Sequence, residues 1–387
     1  MHIQKDNDLL VEIKNHFLSL GKELTSSLED GLLSLIKILQ QSRDKKFVFL
    51  LVGRTGVGKS STINALMGRE VARVNPYEPE TMMVESYDSE IDGVHFTVID
   101  TPGLCDDIED AGNDRQYLEL IRSKAKQIDV MWFVSPLNDT RVRVDEKRGI
   151  KLISEAFGSE VWQRAVIIFT FADKVDTSDY TEALQKRTEL IRKEIANHTG
   201  YEVANNIPSV AVANKCETTP DGKTWLEELY TKVFVRISEK GTIPFLLATA
   251  QRINNSGRNS KQSKKNQEKA NQKNTYQCNE EPNWRFYYDF RNSSNDFRNF
   301  SESFRREDTK QQSTDDYEQN SDKKQQDNFN QQQREEIKNK LFTVVPMLKK
   351  IGGAIGSIFG GSVGKKIGQN IGGVVGHAID FIGSLFG

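Results

Sequence analysis

The sequence predicts an α/β fold in which a mostly parallel six-stranded sheet lies between helices, with helical and polar segments flanking it. Three observations carry this. From Phe47 onward, short apolar runs alternate with helical stretches, the mark of βαβ units. A glycine-rich loop follows the first run and leads directly into a helix. Beyond residue 250 the composition turns polar, so the sheet must be complete before that point.

Ahead of the sheet, Leu10, Ile13, Phe17, Leu20, Leu24, Leu28 and Leu32 stand three or four apart, the spacing of one helix face. This predicts an N-terminal amphipathic helical region over 1–44, interrupted near Gly21 or Gly31. Its apolar face packs on the next domain or makes a short coiled-coil contact. Strands are expected at 47–52, 84–90, 94–99, 129–134, 165–170 and 208–213, and helices at 59–68, 115–127, 145–157, 180–197 and 222–238. The Asp92-Gly93 pair is a tight-hairpin signal, which makes the second and third strands antiparallel. The domain so defined spans 45–245.

Only 36% of the 387 residues are hydrophobic, and counting glycine in place of tyrosine still leaves about 40%, under the ~45–50% of ordinary globular domains. The deficit lies in residues 251–340, which hold 28 Asn and Gln but only two aliphatics, Ile253 and Ile337. Too little apolar surface remains there to offset the entropy of ordering, so a disordered Asn/Gln-rich linker is expected over 246–340. With 53 Lys+Arg against 55 Asp+Glu, the net charge of -2 excludes a uniformly basic nucleic-acid binder. The aromatic and arginine alternation of WRFYYDFR is too nearly charge-balanced to change that.

Cys105, Cys216 and Cys278 show neither metal-ligand spacing nor an even disulfide framework, which points to reduced thiols inside a cell. Lys5, Asp6, Asp8 and Glu12 leave no apolar stretch for a signal peptide, so a cytoplasmic protein is expected.

The loop after the first strand reads GRTGVGKS and matches G-x-x-x-x-G-K-[ST] in the strand-loop-helix setting that motif requires. Gly53, Arg54, Thr55, Gly56, Val57, Gly58, Lys59, Ser60 and Ser61 form the expected phosphate cradle. Backbone N–H groups and the helix N-terminus face the phosphates, Lys59 reaches the β- and γ-phosphates, and the Ser60 hydroxyl binds Mg²⁺. The third strand delivers Asp100-Thr101-Pro102-Gly103, where Asp100 can hold Mg²⁺ through a water and the Gly103 N–H can touch a γ-phosphate. Thr81, ahead of the second strand, stands where a switch threonine senses metal and γ-phosphate; the alternative is a plain loop threonine.

The fifth strand ends in Phe169-Thr170-Phe171-Ala172-Asp173. A carboxylate there can accept from both N1–H and the 2-amino group of guanine, a donor pair adenine lacks, which points to GTP and GDP as ligands. A solvated helix-capping aspartate is the other possibility for Asp173. Asn214, at the end of the sixth strand, is the expected second contact to the base.

These residues resemble a known group, the immunity-associated and avirulence-induced (AIG-type) GTPases together with the chloroplast-envelope Toc receptor GTPases. The similarity runs through GRTGVGKSSTINALMG, VIDTPGLCD, NDTRVRVDEKRGIKLISEAFGSEVW, AVIIFTFAD and IPSVAVAN, and covers roughly residues 45 to 240. It implies a septin-related, Ras-like G domain that binds GTP with Mg²⁺, hydrolyses it slowly and forms a homodimer across the nucleotide face, often with a C-terminal membrane-attaching segment. By position, Arg143 matches an arginine of Toc-type members that reaches the partner's nucleotide; Arg141 is the alternative counterpart. Leu104 follows Gly103 where a Ras-type GTPase has its water-orienting glutamine, so slow intrinsic turnover is expected, with Arg143 and Thr81 as the catalytic candidates.

From Ile351 the sequence falls into fours, with glycine at 352, 356, 360, 364, 368, 372 and 376, each preceded by a large apolar residue. Small residues four apart let helices approach closely, a device of membrane helices. Seven glycines at ~1 kcal/mol each would melt such a helix in water, so an external surface must stabilise it. Residues 341–387 are therefore expected to be a glycine-zipper segment that associates with a membrane, with self-assembly of helices or a glycine-rich tail as alternatives. The resulting expectation is a GTP-dependent dimerisation switch at an intracellular membrane. Its rival is a membrane-active effector whose G domain gates oligomerisation.

Overall fold

Six consecutive apolar residues, Phe47–Val52, form strand β1, and every one is buried in the computed structural model, which describes residues 25–73, 84–91, 93–101, 113–270, 329–359 and 373–386. A run with no solvent face belongs in a parallel sheet covered on both sides. With β2 (Glu85–Ile91), β3 (Val94–Thr101), β4 (Val130–Pro136), β5 (Ala165–Thr170) and β6 (Ser209–Ala211), it builds a six-stranded sheet in the order β2-β3-β1-β4-β5-β6. All neighbours pair in parallel except β2 with β3, which are antiparallel as the hairpin signal requires. β2 alternates between half-buried and exposed positions up to Ile91, the pattern of an edge strand. The fold class is the one the sequence predicts.

Helices α1 (Ser26–Gln41), α2 (Lys59–Met67), α3 (Asn113–Lys124), α4 (Val144–Phe157), α5 (Glu160–Gln163), α6 (Tyr180–Thr199), α7 (Tyr201–Asn205) and α8 (Trp225–Arg236) surround the sheet. In α1, Leu32, Leu35, Ile36 and Leu39 form one buried face at helical spacing. The helix runs through Gly31 uninterrupted; Gly21, the other expected break, and the rest of 1–24 lie outside the described residues.

Helix α9 (Glu239–Ala270) crosses the expected linker boundary at 246 unbroken. The reason is local: Phe245, Leu246, Leu247, Ala250 and Ile253 are all buried, and Phe245 packs its ring against Phe47, Phe49 and Tyr230 at 5.9, 5.9 and 5.5 Å. The polar composition counted over 251–340 does not reach back to most of this apolar stretch, so it could not place the boundary. At the other edge of the expected linker, α10 (Gln331–Val344) is fixed by a capping box. Asn330 Oδ1 accepts from the Gln333 N–H at 2.9 Å, and Gln333 Oε1 accepts from the Asn330 N–H at 3.0 Å. Residues 271–328 lie outside the described residues.

The C-terminal helices α11 (Leu348–Phe359) and α12 (Gly373–Phe386) pack on one another, α11 against α1 and α12 against α9. Of the apolar residues that lead the glycine tetrads, Ile351, Ile355, Val375 and Ile379 are 6%, 0%, 7% and 2% exposed; Val363, Ile367 and Ile371 lie outside the described residues. Each fully buried aliphatic contributes about 1.5–3 kcal/mol. Phe329 and Phe381 join Tyr230 in one aromatic cluster, with ring centroids 5.7–5.8 Å apart. No helix among the described residues is long and apolar enough to cross a membrane.

Candidate functional site

The register of the sheet positions the glycine-rich loop. Leu51 pairs with Asp100 and Val52 with Thr101 on one side of β1, while Val52 pairs with Phe133 on the other. The chain therefore leaves β1 between the tips of two parallel neighbours, the crevice where open α/β sheets bind ligands. Gly58 caps α2 with φ +92, a left-handed conformation that side chains resist, so the loop turns and its next N–H groups point outward from the helix end.

Lys59 is 5% exposed, and its Nζ donates to the carbonyls of Gly53 and Arg54 at 3.0 Å each. Asp100 Oδ1 lies 3.5 Å from the same ammonium, and Ser60 Oγ donates to Asp100 Oδ2 at 3.3 Å. Asp100 Oδ1 is buried with no hydrogen-bond partner. A hydroxyl and an orphaned carboxylate oxygen are hard oxygen donors, the set Mg²⁺ takes with phosphate and water. Thr81, Gly103 and Leu104 lie outside the described residues.

A second layer backs the loop with charge. Arg54 Nε donates to Asp145 at 2.7 Å and its Nη1 to Asp139 at 3.4 Å. Arg143, the N-cap of α4, places Nε and Nη2 on the two oxygens of the same Asp139 at 3.0 and 3.1 Å, which raises the guanidinium pKa above its ordinary value. Behind it, Arg187 Nη2 donates to both oxygens of Glu146 at 2.7 and 2.8 Å and to Ser135 Oγ at 2.7 Å, and its Nη1 donates to the Arg141 carbonyl at 2.7 Å. Glu146 in turn accepts the Arg143 N–H at 2.9 Å. A buried ion pair thus fixes the backbone of the segment that carries both candidate arginines.

At the far end, Asp173 sits in a short 3-10 helix after β5, half-buried, with no side-chain partner among the described residues. It is not a helix cap: Phe171 precedes that turn and Asp179 caps α6. Phe171 has φ 56, the positive-φ non-glycine residue of the described chain, a strain of the kind found at binding loops. Asn214 Nδ2 donates to Thr62 Oγ1 of α2 at 2.9 Å. Cys216, two residues on, is disulfide-bonded, against the expectation of free thiols, because spacing in sequence does not report which sulfurs meet after folding.

The AIG1 family model matches residues 48–265, more than half of the chain. The chain belongs to the AIG1 family. Translocase of chloroplast 33 of Arabidopsis thaliana is 30% identical over 225 residues, 54% of this chain and 75% of that protein. GTP-binding protein A of Dictyostelium discoideum is 30% identical over 158 residues, 41% of this chain and 34% of that one. A crystal structure of Toc33 from Arabidopsis thaliana in complex with GDP and Mg²⁺ is 27% identical, with a TM-score of 0.42 over 54% of this chain and 91% of that one. The resemblance read from the motifs is thereby borne out.

In this AIG1-family chain, the fold brings the glycine-rich loop and Asp100 together as the sequence reading expects, but that reading missed the Arg187–Glu146 pair. Glu146 carries a weak signal, an acid three residues into a helix where it can accept the N-cap N–H. Arg187 carries none, being one of 53 basic residues and placed on an otherwise polar helix.

Proposed function

We propose that this AIG1-family chain is a Mg²⁺-dependent GTPase, slow as a monomer and stimulated when two copies meet across the nucleotide face. One observation carries the reading: buried Lys59 rests on its own loop's carbonyls, 3.0 Å from each, beside the orphaned Asp100 Oδ1. A triphosphate offers the ammonium charged acceptors in place of those neutral carbonyls. Mg²⁺, when bound, neutralises charge on the β- and γ-oxygens.

The chain's own residues do the rest. Backbone N–H groups from Thr55 to Ser61 hold the phosphates and Ser60 and Asp100 hold the metal, while Thr81 and Gly103 are assigned to metal and γ-phosphate by their sequence positions alone. Asp173, without a side-chain partner among the described residues, accepts from N1–H and the 2-amino group of guanine; the name of the Dictyostelium relative supports that choice of base. Leu104 cannot orient water, so Arg143 leaves Asp139 and supplies transition-state charge to the partner's nucleotide. Residues 341–387 attach the protein to an intracellular membrane through their apolar tetrads, with the exposed Lys349 and Lys350 at the headgroups.

Titration of the full chain with GTP and Mg²⁺ tests the central claim. Lys59→Ala should weaken binding by about 2–5 kcal/mol with an unchanged far-UV spectrum. Unaltered GTP affinity in that variant, or equal affinity of the wild type for ATP, overturns it. Turnover per molecule should rise with protein concentration, and Arg143→Ala should flatten that rise.

A further inference from the structure

We infer that α1 and α9 form a receptor surface for the chain's own C-terminal helix pair, and that the pair exchanges this surface for a lipid bilayer. The inference rests on the membrane reading above and adds the competing partner.

Among the described residues, four apolar side chains that lead the tetrads are already committed within the chain. Ile351, Ile355, Val375 and Ile379 are all buried. One surface of a helix pair cannot face α1 and acyl chains together, so the two states exclude one another. The receptor has a shape made for this occupant: a Cβ on Gly31 of α1 would lie 2.7 Å from Ile351 Cγ2. Glycine is a poor interior residue for a helix, and here the missing side chain is the seat of Ile351. Within the pair, a Cβ on Gly352 would lie 2.5 Å from the Phe386 ring.

Two of the polar fastenings end on backbone carbonyls. Asn254 Nδ2 donates to the His377 carbonyl at 3.1 Å, and Arg334 Nη1 donates to the Ser384 carbonyl at 2.6 Å. Part of the adhesion is apolar packing, which a bilayer can replace in kind. With 12 and 14 residues, α11 and α12 are each short of the ~20 needed to span a bilayer, so the pair enters as a hairpin or lies in the interface.

The test alters the receptor and leaves the occupant intact. Gly31→Leu in the full chain fills the seat of Ile351, and an overpacking cost of ordinary size corresponds to about a tenfold shift toward release. Co-flotation with phosphatidylcholine/phosphatidylserine vesicles should rise accordingly, and the C-terminal segment should become protease-sensitive in the absence of vesicles. A second variant, Gly31→Cys with Ile351→Cys, should lose flotation when oxidised, against wild type treated identically.

If the segment stays protected in the Gly31→Leu chain, the receptor assignment is wrong. Release without increased flotation refutes the exchange with lipid. Should Gly31→Leu fail to fold, the crosslinked chain decides, because flotation undiminished by the crosslink overturns the proposal. Flotation that survives Ile355→Asp with Ile379→Asp in the full chain sinks the membrane reading itself, a different failure from loss of the receptor.

Discussion

Two glycine-rich stretches of this chain use the same residue for opposite reasons. In the phosphate loop, Gly56 and Gly58 hold φ +76 and +92, so glycine is there for its backbone freedom. In α1 and α11, Gly31 and Gly352 are ordinary helical residues whose value is the space left by a missing Cβ. A local conformation needs only its neighbours in sequence, whereas a close approach needs a partner on another helix, 320 positions away for Gly31 and 34 for Gly352. The two regions differ also in what is known to lie between their parts: a buried ion pair behind the nucleotide side, and the buried tetrad aliphatics Ile351, Ile355, Val375 and Ile379 on the C-terminal side.

The strongest attack on that contrast is Arg187→Met. It strands Glu146 in a site where the side chains are 2% and 3% exposed, and removing one partner of a buried pair costs about 3–5 kcal/mol. Thermal unfolding should register the whole loss, and Arg187→Lys should recover only part of it, since one ammonium cannot serve both Glu146 oxygens, Ser135 and the Arg141 carbonyl in fixed geometry. An unaltered Tm in the Met variant would mean the buried charge does not brace the arginine segment.

A paired substitution separates the two uses of glycine. Gly58→Ala forces a side chain into a left-handed conformation at about 1–2 kcal/mol and should weaken GTP binding. Gly352→Leu overpacks the Phe386 contact at a similar cost, about 1–3 kcal/mol, yet should leave GTP affinity untouched. Isothermal titration beside denaturant unfolding reads both; equal effects on nucleotide affinity would dissolve the distinction.

The smallest expected effect is a pH dependence. Burial lowers the pKa of Lys340, whose Nζ donates to the Ile237 carbonyl at 2.7 Å between α10 and the end of α8. The charged form is thus disfavoured in the folded state, and the unfolded chain binds more protons between the lowered value and the ordinary 10.5. Stability from this group rises with pH across that window, while the full penalty applies below it. The Tm difference between Lys340→Met and wild type should therefore change in favour of wild type from pH 7 toward pH 10; a constant difference refutes the assignment.

Legibility in the sequence followed the same division. Strands such as 47–52 and 165–170 were readable to the residue because an unbroken apolar run bounded by breakers has one interpretation in a parallel sheet. The phosphate loop was readable because its geometry is written into eight consecutive residues. Ile351 and Ile379 announced that they needed a covering surface, but periodicity is blind to whether that surface is lipid or protein. Arg187 and the Thr62 partner of Asn214 were opaque for a related reason, since the pairs Arg187–Glu146 and Asn214–Thr62 are chosen by tertiary packing across 41 and 152 positions.

The seating of Ile351 on Gly31 also orders events during synthesis. The two residues are separated by 320 positions, which a ribosome working at about 5–20 residues per second crosses in tens of seconds. The sheet can close around its core long before the surface around Gly31 meets its occupant. In that interval a nascent chain carries a fitted apolar seat with nothing in it, open to a chaperone or to the seat of a neighbouring nascent chain on the same message.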